Sequence, residues 1–281
     1  ALLDARSIWF DEGYSVWLAR MPLDEMVRNT ARDLHPPLYY AALHVWRLVV
    51  GEGEYALRFL SVLMGVLAVA VTYRFGRALG GERAGVIAAL LLAISRFAIG
   101  WSQQLRMYEL ALLLATLALW LAYRFWRRGR WGAGVGYALA MIAALYTYYL
   151  TALAFALVNL VFPLVWWRAG RPRTLLLRWG VIQAVVVAAF LPWALWAFPQ
   201  HYNAGSEAVF SAAFGLQLYL VTLTMGVESY PDRVLLPALA SLAITLACLP
   251  FAWRSARTPT QRPALLHPKT VLLVHNDQAQ I

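Results

Sequence analysis

The sequence predicts an all-α, polytopic membrane protein, with about seven transmembrane helices and an interfacial helix in the first outer loop. Of its 281 residues, 62% are hydrophobic and only 14% are charged, and the mean hydropathy is +0.59. An ordinary soluble domain is about half apolar and about a quarter charged, so the excess apolar surface needs lipid to face. Apolar stretches long enough to span a bilayer recur along the chain. Because these runs are continuous, they exclude the alternating pattern of a membrane barrel.

The first predicted element, residues 1–55, is an outer loop on the non-cytoplasmic side. Residues 1–35 are rich in charges of both signs and cannot lie in hydrocarbon, so we predict a loop there. A diproline then opens an apolar stretch that runs to about Val50, because proline is tolerated in the first turn of a helix. This stretch is short and contains His44 and Arg47, which favours a helix lying along the membrane interface.

The second predicted element, residues 56–253, is the transmembrane helical core. Its spans are predicted at roughly 56–74, 84–101, 107–124, 133–149, 150–167, 179–197 and 234–253. An outer loop, 198–233, separates the last two spans and is a candidate region for acceptor or lipid entry. Residues 254–281 hold too few apolar residues to span, and we expect a cytoplasmic tail or a truncated end there. Because the chain starts at Ala1 without methionine, we also expect that it starts late.

The net charge of +10 reflects arginines that gather at predicted helix ends. A basic protein can bind nucleic acid, but this distribution is typical of the positive-inside rule for membrane proteins. We therefore predict a multi-pass protein of the cell membrane, plasma or inner, with no nucleic-acid partner. The single cysteine, Cys248, excludes an intrachain disulfide. The arginine clusters are Arg74, Arg77 and Arg83; Arg124, Arg127, Arg128 and Arg130; Arg168, Arg171, Arg173 and Arg178; and Arg254, Arg257 and Arg262.

The first candidate for chemistry is the acidic pair Asp11 and Glu12, which lies among aromatic residues with Tyr14 nearby. A partly desolvated carboxylate is a stronger base, and two converging carboxylates can hold a divalent cation. The alternative is an ordinary acidic turn or a helix cap.

The second candidate is His35, which precedes the diproline and a tyrosine pair at the predicted boundary between water and lipid. The prolines restrict the backbone and so fix where the imidazole points. A histidine there could hold a phosphate or relay a proton. Equally, it could cap the interfacial helix.

The third candidate is Arg106, in the outer turn between two predicted spans. Ionisable groups at membrane depth are costly and are functional candidates, and a guanidinium suits a phosphate better than an ammonium does. The alternative is a local ion pair with Glu109 at helical spacing. The sequence contains no glycine-rich phosphate loop, no Cys/His metal spacing and no nucleophile elbow, which disfavours nucleotide chemistry of the soluble type.

Taken in order, four motifs resemble the GT-C superfamily, and specifically its protein-mannosyltransferase and aminoarabinose-transferase branch (glycosyltransferase family 39-like). The resemblance covers about residues 8–200. The motifs are Asp11-Glu12, then His35-Pro36-Pro37-Leu38-Tyr39-Tyr40, then Ala56-Leu57-Arg58-Phe59 at the start of one span, and Arg106-Met107-Tyr108 at the start of another.

The resemblance implies transfer of a sugar from a polyprenyl or dolichyl phosphate to a protein, lipid or glycan hydroxyl on the non-cytoplasmic face. Asp11 would be the catalytic carboxylate, with Glu12 beside it. Arg106, with His35 or a divalent ion, would hold the leaving phosphate, and the sugar pocket would be lined by Tyr14, Tyr39 or Tyr108.

A metal cofactor is left open by the resemblance. His35 falls where some relatives have a lysine that contacts the lipid phosphate, and Leu34 falls where those relatives have a glutamate. The residues of that type of metal site therefore do not all recur here. Asp11 and Glu12 stay open as ligands of a divalent ion. The relatives also have one span before the acidic pair, which we do not find in this sequence.

Two functions from other classes are also compatible with the sequence. A transporter or flippase for a lipid-linked sugar would place its charges near the bilayer midplane, often in repeated halves. In this sequence the ionisable residues gather toward one face, and no repeat is visible. A non-catalytic binder of lipid-linked sugars would share the same motifs and would differ only in lacking activity.

Overall fold

The computed structural model describes Leu3, residues 7–33 and residues 35–201, and all the regular secondary structure in those residues is helical. A short 3-10 turn, Tyr149–Thr151, leads into α8. The predicted span 234–253, the tail 254–281 and most of the predicted loop 198–233 lie outside the described residues. The helices are α1 (Phe10–Arg20), α2 (Leu23–Thr30), α3 (Leu38–Val50), α4 (Glu54–Ala93), α5 (Arg96–Ser102), α6 (Tyr108–Arg128), α7 (Trp131–Leu145), α8 (Ala152–Arg168) and α9 (Arg173–His201).

Residues 1–35, for which the sequence predicts a loop, contain two helices, α1 and α2, so that prediction is wrong for most of the segment. In α1 the acidic residues fall in the first turn, where negative charge stabilises the helix dipole. The Glu12 carboxylate also accepts a hydrogen bond from Trp9 N at 3.4 Å, which caps the helix. Charge of both signs marked the segment as polar, and in α1 part of that charge stabilises the first turn of a helix.

Helix α3 begins directly after the diproline, as predicted, and packs against α1 and the start of α4. The Arg47 Nε donates a hydrogen bond to Ala19 O at 2.8 Å, and Trp46 Nε1 donates one to Ala56 O at 2.8 Å. The first three helices thus form a small layer with its own core. Buried members of that core include Leu18, Met26, Tyr39, Tyr40, Leu43 and Leu57.

Helix α4 is a helical hairpin rather than one straight rod. Gly81, with φ 84° and ψ −175°, breaks its helical backbone, and a positive φ of this size is readily adopted only by glycine. The two arms meet closely at Gly85, where an added Cβ would lie 2.8 Å from Tyr73 O. The hairpin turn falls between the predicted spans 56–74 and 84–101, which confirms a turn there.

Four candidate membrane spans are long and apolar enough to cross a bilayer within the described residues. Helix α7 is apolar but has only 15 residues. The predicted span 84–101 is not continuous, because α4 ends at Ala93 and Ser95 caps a separate helix, α5. The placement of α3 along the interface stays a prediction. The four candidates are Glu54–Ala93, which is the α4 hairpin with its turn at Gly81, and Tyr108–Arg128, Tyr149–Arg168 and Arg173–Gln200.

The second core of the protein joins α6, α7, α8 and α9 through aromatic and polar contacts. Trp179 stacks on Phe162, with the ring centroids 5.1 Å apart, and its Nε1 donates a hydrogen bond to Asn159 Oδ1 at 3.2 Å. Gln183 Oε1 accepts hydrogen bonds from Asn159 and from Tyr137, each at 3.2 Å. Such hydrogen bonds between helices supplement van der Waals packing, which must hold helices together in lipid.

The arginine clusters between Arg74 and Arg178 gather at one end of the helices. They lie around the α4 hairpin turn, at the end of α6 and the start of α7, and at the end of α8 and the start of α9. Arg178 Nη1 donates to Gly129 O at 3.1 Å, which ties two of these ends together. The opposite end carries α1–α3 and the turn between α5 and α6.

Candidate functional site

The turn between α5 and α6 brings Arg106 against the first turn of α1. Its Nη2 lies 3.8 Å from Asp11 Oδ2, and its Nη1 donates a hydrogen bond to Asp11 O at 3.4 Å. The Arg106 side chain is 7% exposed, whereas that of Asp11 is 38% exposed. A buried cation therefore lies beside a carboxylate that a ligand can still reach. The two residues are 95 positions apart, so only the fold brings them together.

Glu12 differs sharply from its neighbour Asp11, because its side chain is only 1% exposed. Arg58 donates hydrogen bonds to both of its carboxylate oxygens, at 3.0 Å and 2.6 Å, and Leu105 N donates a third at 2.9 Å. Arg58 also donates to Leu3 O. Glu12 therefore joins α1, the start of α4 and the turn before α6. This geometry favours a positioning role for Glu12 over a direct chemical one.

Aromatic rings surround the guanidinium of Arg106. Its Cζ lies 5.7 Å from the ring centroid of Tyr108, a cation–π distance. The Tyr108 ring contacts Trp101, at 3.8 Å between centroids, and Tyr148, at 5.3 Å. Burial by itself lowers the pKa of Arg106, but its contacts with Tyr108, Tyr40 and Asp11 raise that pKa above the ordinary value. Arg106 thus stays a cation at any working pH, and its Nε has no hydrogen-bond partner among the described residues.

His35 lies on the other side of this aromatic group. Its ring stacks against that of Tyr148, with centroids 6.1 Å apart, and its Nδ1 lies 3.4 Å from Asp33 Oδ2. Leu38 N donates a hydrogen bond to Tyr146 O at 3.0 Å, which holds the start of α3 against the end of α7. The structure therefore joins His35 to Arg106 through Tyr148 and Tyr108.

Asp33 faces the same region from the end of α2. Burial raises the pKa of Tyr14, and the negative charge of Asp33 raises it further. The same two causes, in the same order, raise the pKa of Tyr40. Tyr14 is only partly buried and packs against Trp17, at 5.5 Å between centroids. Tyr39, by contrast, is 1% exposed and packs in the first core, so its side chain belongs to that core.

The acidic pair does not fit a two-carboxylate metal site. Both oxygens of Glu12 already accept hydrogen bonds from Arg58, which leaves Asp11 as the accessible carboxylate of the pair. Across residues 7–33 and 35–201, no group of three or more His, Cys, Asp or Glu side chains is placed to hold a metal ion. A divalent ion at this site stays a prediction.

Three residues of the site are absent from the sequence-based candidates: Arg58, Asp33 and Tyr148. An arginine inside the first turns of an apolar span was a signal for Arg58, because a charge there needs a partner. Asp33 stands two positions before His35 and could have been found by that proximity. Tyr148 lies in an aromatic run near a helix end. That pattern is equally typical of an aromatic belt at the membrane interface, so it did not single out Tyr148.

Comparison with known proteins identifies the family. The family model for dolichyl-phosphate-mannose-protein mannosyltransferase matches residues 34–196. The match includes His35, Arg58, Arg106 and Tyr108, whereas Asp11 lies ahead of it. Among curated proteins, none matches this chain. Because the matched segment is more than half of the 281 residues, the chain belongs to the dolichyl-phosphate-mannose-protein mannosyltransferase family.

Proposed function

We propose that this protein transfers a sugar, mannose or a similar one, from a polyprenyl-phosphate-linked donor to a protein, lipid or glycan hydroxyl. The reaction takes place on the non-cytoplasmic face of the cell membrane. Membership of the family supports a membrane glycosyltransferase of the mannosyltransferase type. The phosphate-linked donor and the hydroxyl acceptor are supported by the resemblance and by Asp11 and Arg106, and the side of the membrane is supported by the arginine-rich turns at the opposite end of the helices.

The observation that carries this proposal is the accessible carboxylate of Asp11 beside the buried guanidinium of Arg106. A transfer from a sugar phosphate needs a base for the acceptor hydroxyl and a cation for the departing phosphate. The two groups stand within 3.8 Å of each other, so one donor can meet both.

In the proposed reaction, Asp11 takes the proton of the acceptor hydroxyl as the hydroxyl oxygen bonds to the anomeric carbon. The bond from that carbon to the phosphate oxygen breaks, and the electron pair leaves with the phosphate. Arg106 stabilises the charge that develops there, and its planar fork suits two phosphate oxygens. Attack from the face opposite the departing phosphate is a single displacement, which inverts the anomeric configuration, and it requires Asp11 to separate from Arg106 as the donor binds.

We assign supporting roles in this reaction to the remaining candidate residues. We assign His35 to a contact with the phosphate, together with Arg106, and Tyr108 and Tyr14 to the lining of the sugar pocket. Glu12 acts through Arg58 and Leu105 N by holding the turn that carries Arg106. A divalent ion would add charge stabilisation at the phosphate, with Asp11 as the accessible carboxylate nearest to it.

The test is to reconstitute the protein in liposomes and offer it polyprenyl-phosphate mannose with a pool of peptide and lipid acceptors. We expect donor consumption by the wild type. Arg106→Ala should lower donor affinity by at least about tenfold, since a charged hydrogen-bond donor to the phosphate is lost. Arg28→Ala is a matched control, because Arg28 pairs with Asp24 on the exposed face of α2.

Two outcomes would contradict the proposal. Movement of intact donor across the bilayer without consumption would indicate a transporter or flippase. Tight donor binding with neither consumption nor movement would indicate a non-catalytic binder of lipid-linked sugars.

A further inference from the structure

A second buried carboxylate, Glu109, lies in the first turn of α6 and lines a pocket that the proposed reaction does not use. The pocket has a volume of about 200 Å³ and is formed by α4, α5 and the first turn of α6. Its walls are apolar apart from Glu109 and Ser102. The absence of a side chain at Gly65 leaves this space free, because a Cβ added there would lie 3.3 Å from Glu109 Oε2 and 3.2 Å from Ser102 Cβ.

Glu109 has an unused hydrogen-bonding atom. The residue is 2% exposed, and its Oε2 has no hydrogen-bond partner in the part of the chain that the structure describes. The local pair with Arg106 that its helical spacing suggested does not form, because the Arg106 guanidinium turns toward Asp11 instead. Leaving a buried polar atom without a partner is costly, so a ligand that supplies a donor would be stabilised there.

Among the described residues, the open side of the pocket is apolar and lies on a candidate membrane span. Gly65 lies about 16 Å along α4 from Glu54 at 1.5 Å per residue, within a candidate membrane span. Val66 and Ile99, which form part of its walls, are 63% and 42% exposed. Exposed apolar side chains on a spanning helix face the acyl chains of the bilayer. A molecule that enters this pocket from the membrane must therefore carry an aliphatic body.

We infer that this pocket binds a long-chain aliphatic alcohol, whose hydroxyl donates a hydrogen bond to Glu109 Oε2 while its chain lies along α4 and α5. A hydroxyl satisfies the carboxyl oxygen at a smaller desolvation cost than an ammonium would, because taking a charge out of water is expensive. The inference concerns a site apart from Asp11 and Arg106, and it does not depend on the proposed transfer reaction.

The test uses a hexadecanol analogue that carries a photoreactive group in its chain, added to the full chain in detergent. Cross-linked peptides are mapped by mass spectrometry. We expect labelling of residues 62–69 and 92–102, and about tenfold weaker labelling by the matching methyl ether, which lacks the donor. Glu109→Leu should lower labelling by the alcohol to the level of the ether. Glu109→Gln should keep it, because an amide oxygen still accepts a hydrogen bond.

A pair of glycine variants controls for disturbance of the fold. Gly65→Val places side-chain atoms in the pocket and should abolish labelling, whereas Gly100→Val on α5 has open space around its Cβ and should not change it. Equal labelling by the alcohol and the ether would overturn the inference and indicate general contact with lipid. Stronger binding of hexadecylamine that is lost in Glu109→Gln would also overturn it, in favour of a cationic ligand.

Discussion

Asp11 and Glu12, neighbouring carboxylates in the first turn of α1, lie in different environments. Asp11 is accessible beside Arg106, while Glu12 is enclosed by Arg58 and Leu105 N. The two residues are adjacent in the sequence, so the direction in which each side chain points determines its environment. We therefore expect different phenotypes from the two residues: loss of turnover for Asp11 and loss of stability for Glu12.

Removing the charge of Glu12 should destabilise the protein strongly. Glu12→Gln removes the buried counter-charge of Arg58 and leaves the longer contact with Glu54, at 3.7 Å; breaking a buried ion pair in this way costs up to about 3–5 kcal/mol. The double variant Glu12→Gln/Arg58→Met removes both charges and should lose less than the sum of the two single variants. Thermal unfolding in detergent measures each. An additive double variant would contradict a direct coupling between the two side chains.

Asp11, His35 and Arg106 are ionisable residues near aromatic rings at a predicted boundary, and their residue types are the basis of the roles proposed for them. The enclosed position of Glu12 beside Arg58 could not be predicted in this way. Arg58 lies 46 positions from its partner, and such pairing depends on how α1 packs on α4. The contact with Arg58, rather than the residue type, indicates a positioning role for Glu12.

Among the elements, the α4 hairpin depends on two glycines with different functions. Gly81 makes the turn through its positive φ, and Gly85 lets the arms approach. The sequence predicted the turn because arginines interrupt the apolar run there. It did not predict the break before α5, where Ser95 Oγ accepts a hydrogen bond from Ala98 N and starts a new helix.

Gly85→Ala should separate the two arms of α4 and destabilise the protein. The new Cβ would lie 2.8 Å from the backbone oxygen of Tyr73, which cannot rotate away, and overpacking of this kind costs about 1–3 kcal/mol. Gly180→Ala is the matched control, because nothing lies within 4 Å of its Cβ. That control should be neutral or gain up to about 1 kcal/mol of helix propensity. Thermal unfolding that ranks the two variants equally would contradict the close packing.

Across the described part of the molecule, the arginine clusters and the candidate chemistry lie at opposite ends of the helices. The arginine-rich turns lie at the α4 hairpin and at the α6–α7 and α8–α9 connections, while Asp11 and Arg106 lie at the other end. The sequence predicted this polarity from arginine clusters alone. The number of spans stays a prediction, because α4 turns back on itself, α7 has only 15 residues and the predicted span 234–253 lies outside the described residues.

The orientation itself can be measured with single cysteines in a Cys248→Ala background. The positive-inside rule predicts that Asp24→Cys on α2 reacts with a membrane-impermeant maleimide in intact cells, whereas Arg128→Cys at the end of α6 reacts only after the membrane is opened. Asp24 is well exposed in the structure, so its labelling reports sidedness rather than burial. The reverse pattern would place the candidate site on the cytoplasmic face.

The most direct test of the central claim is single-turnover transfer by Asp11→Asn with saturating polyprenyl-phosphate mannose. Loss of a general base lowers a rate about 10²–10⁴-fold, and we expect a loss of this size while donor binding stays unchanged. Asp24→Asn, which alters an exposed carboxylate paired with Arg28 on α2, should transfer sugar at the wild-type rate. Transfer by Asp11→Asn at the rate of that control would contradict the assignment of Asp11 as the catalytic base.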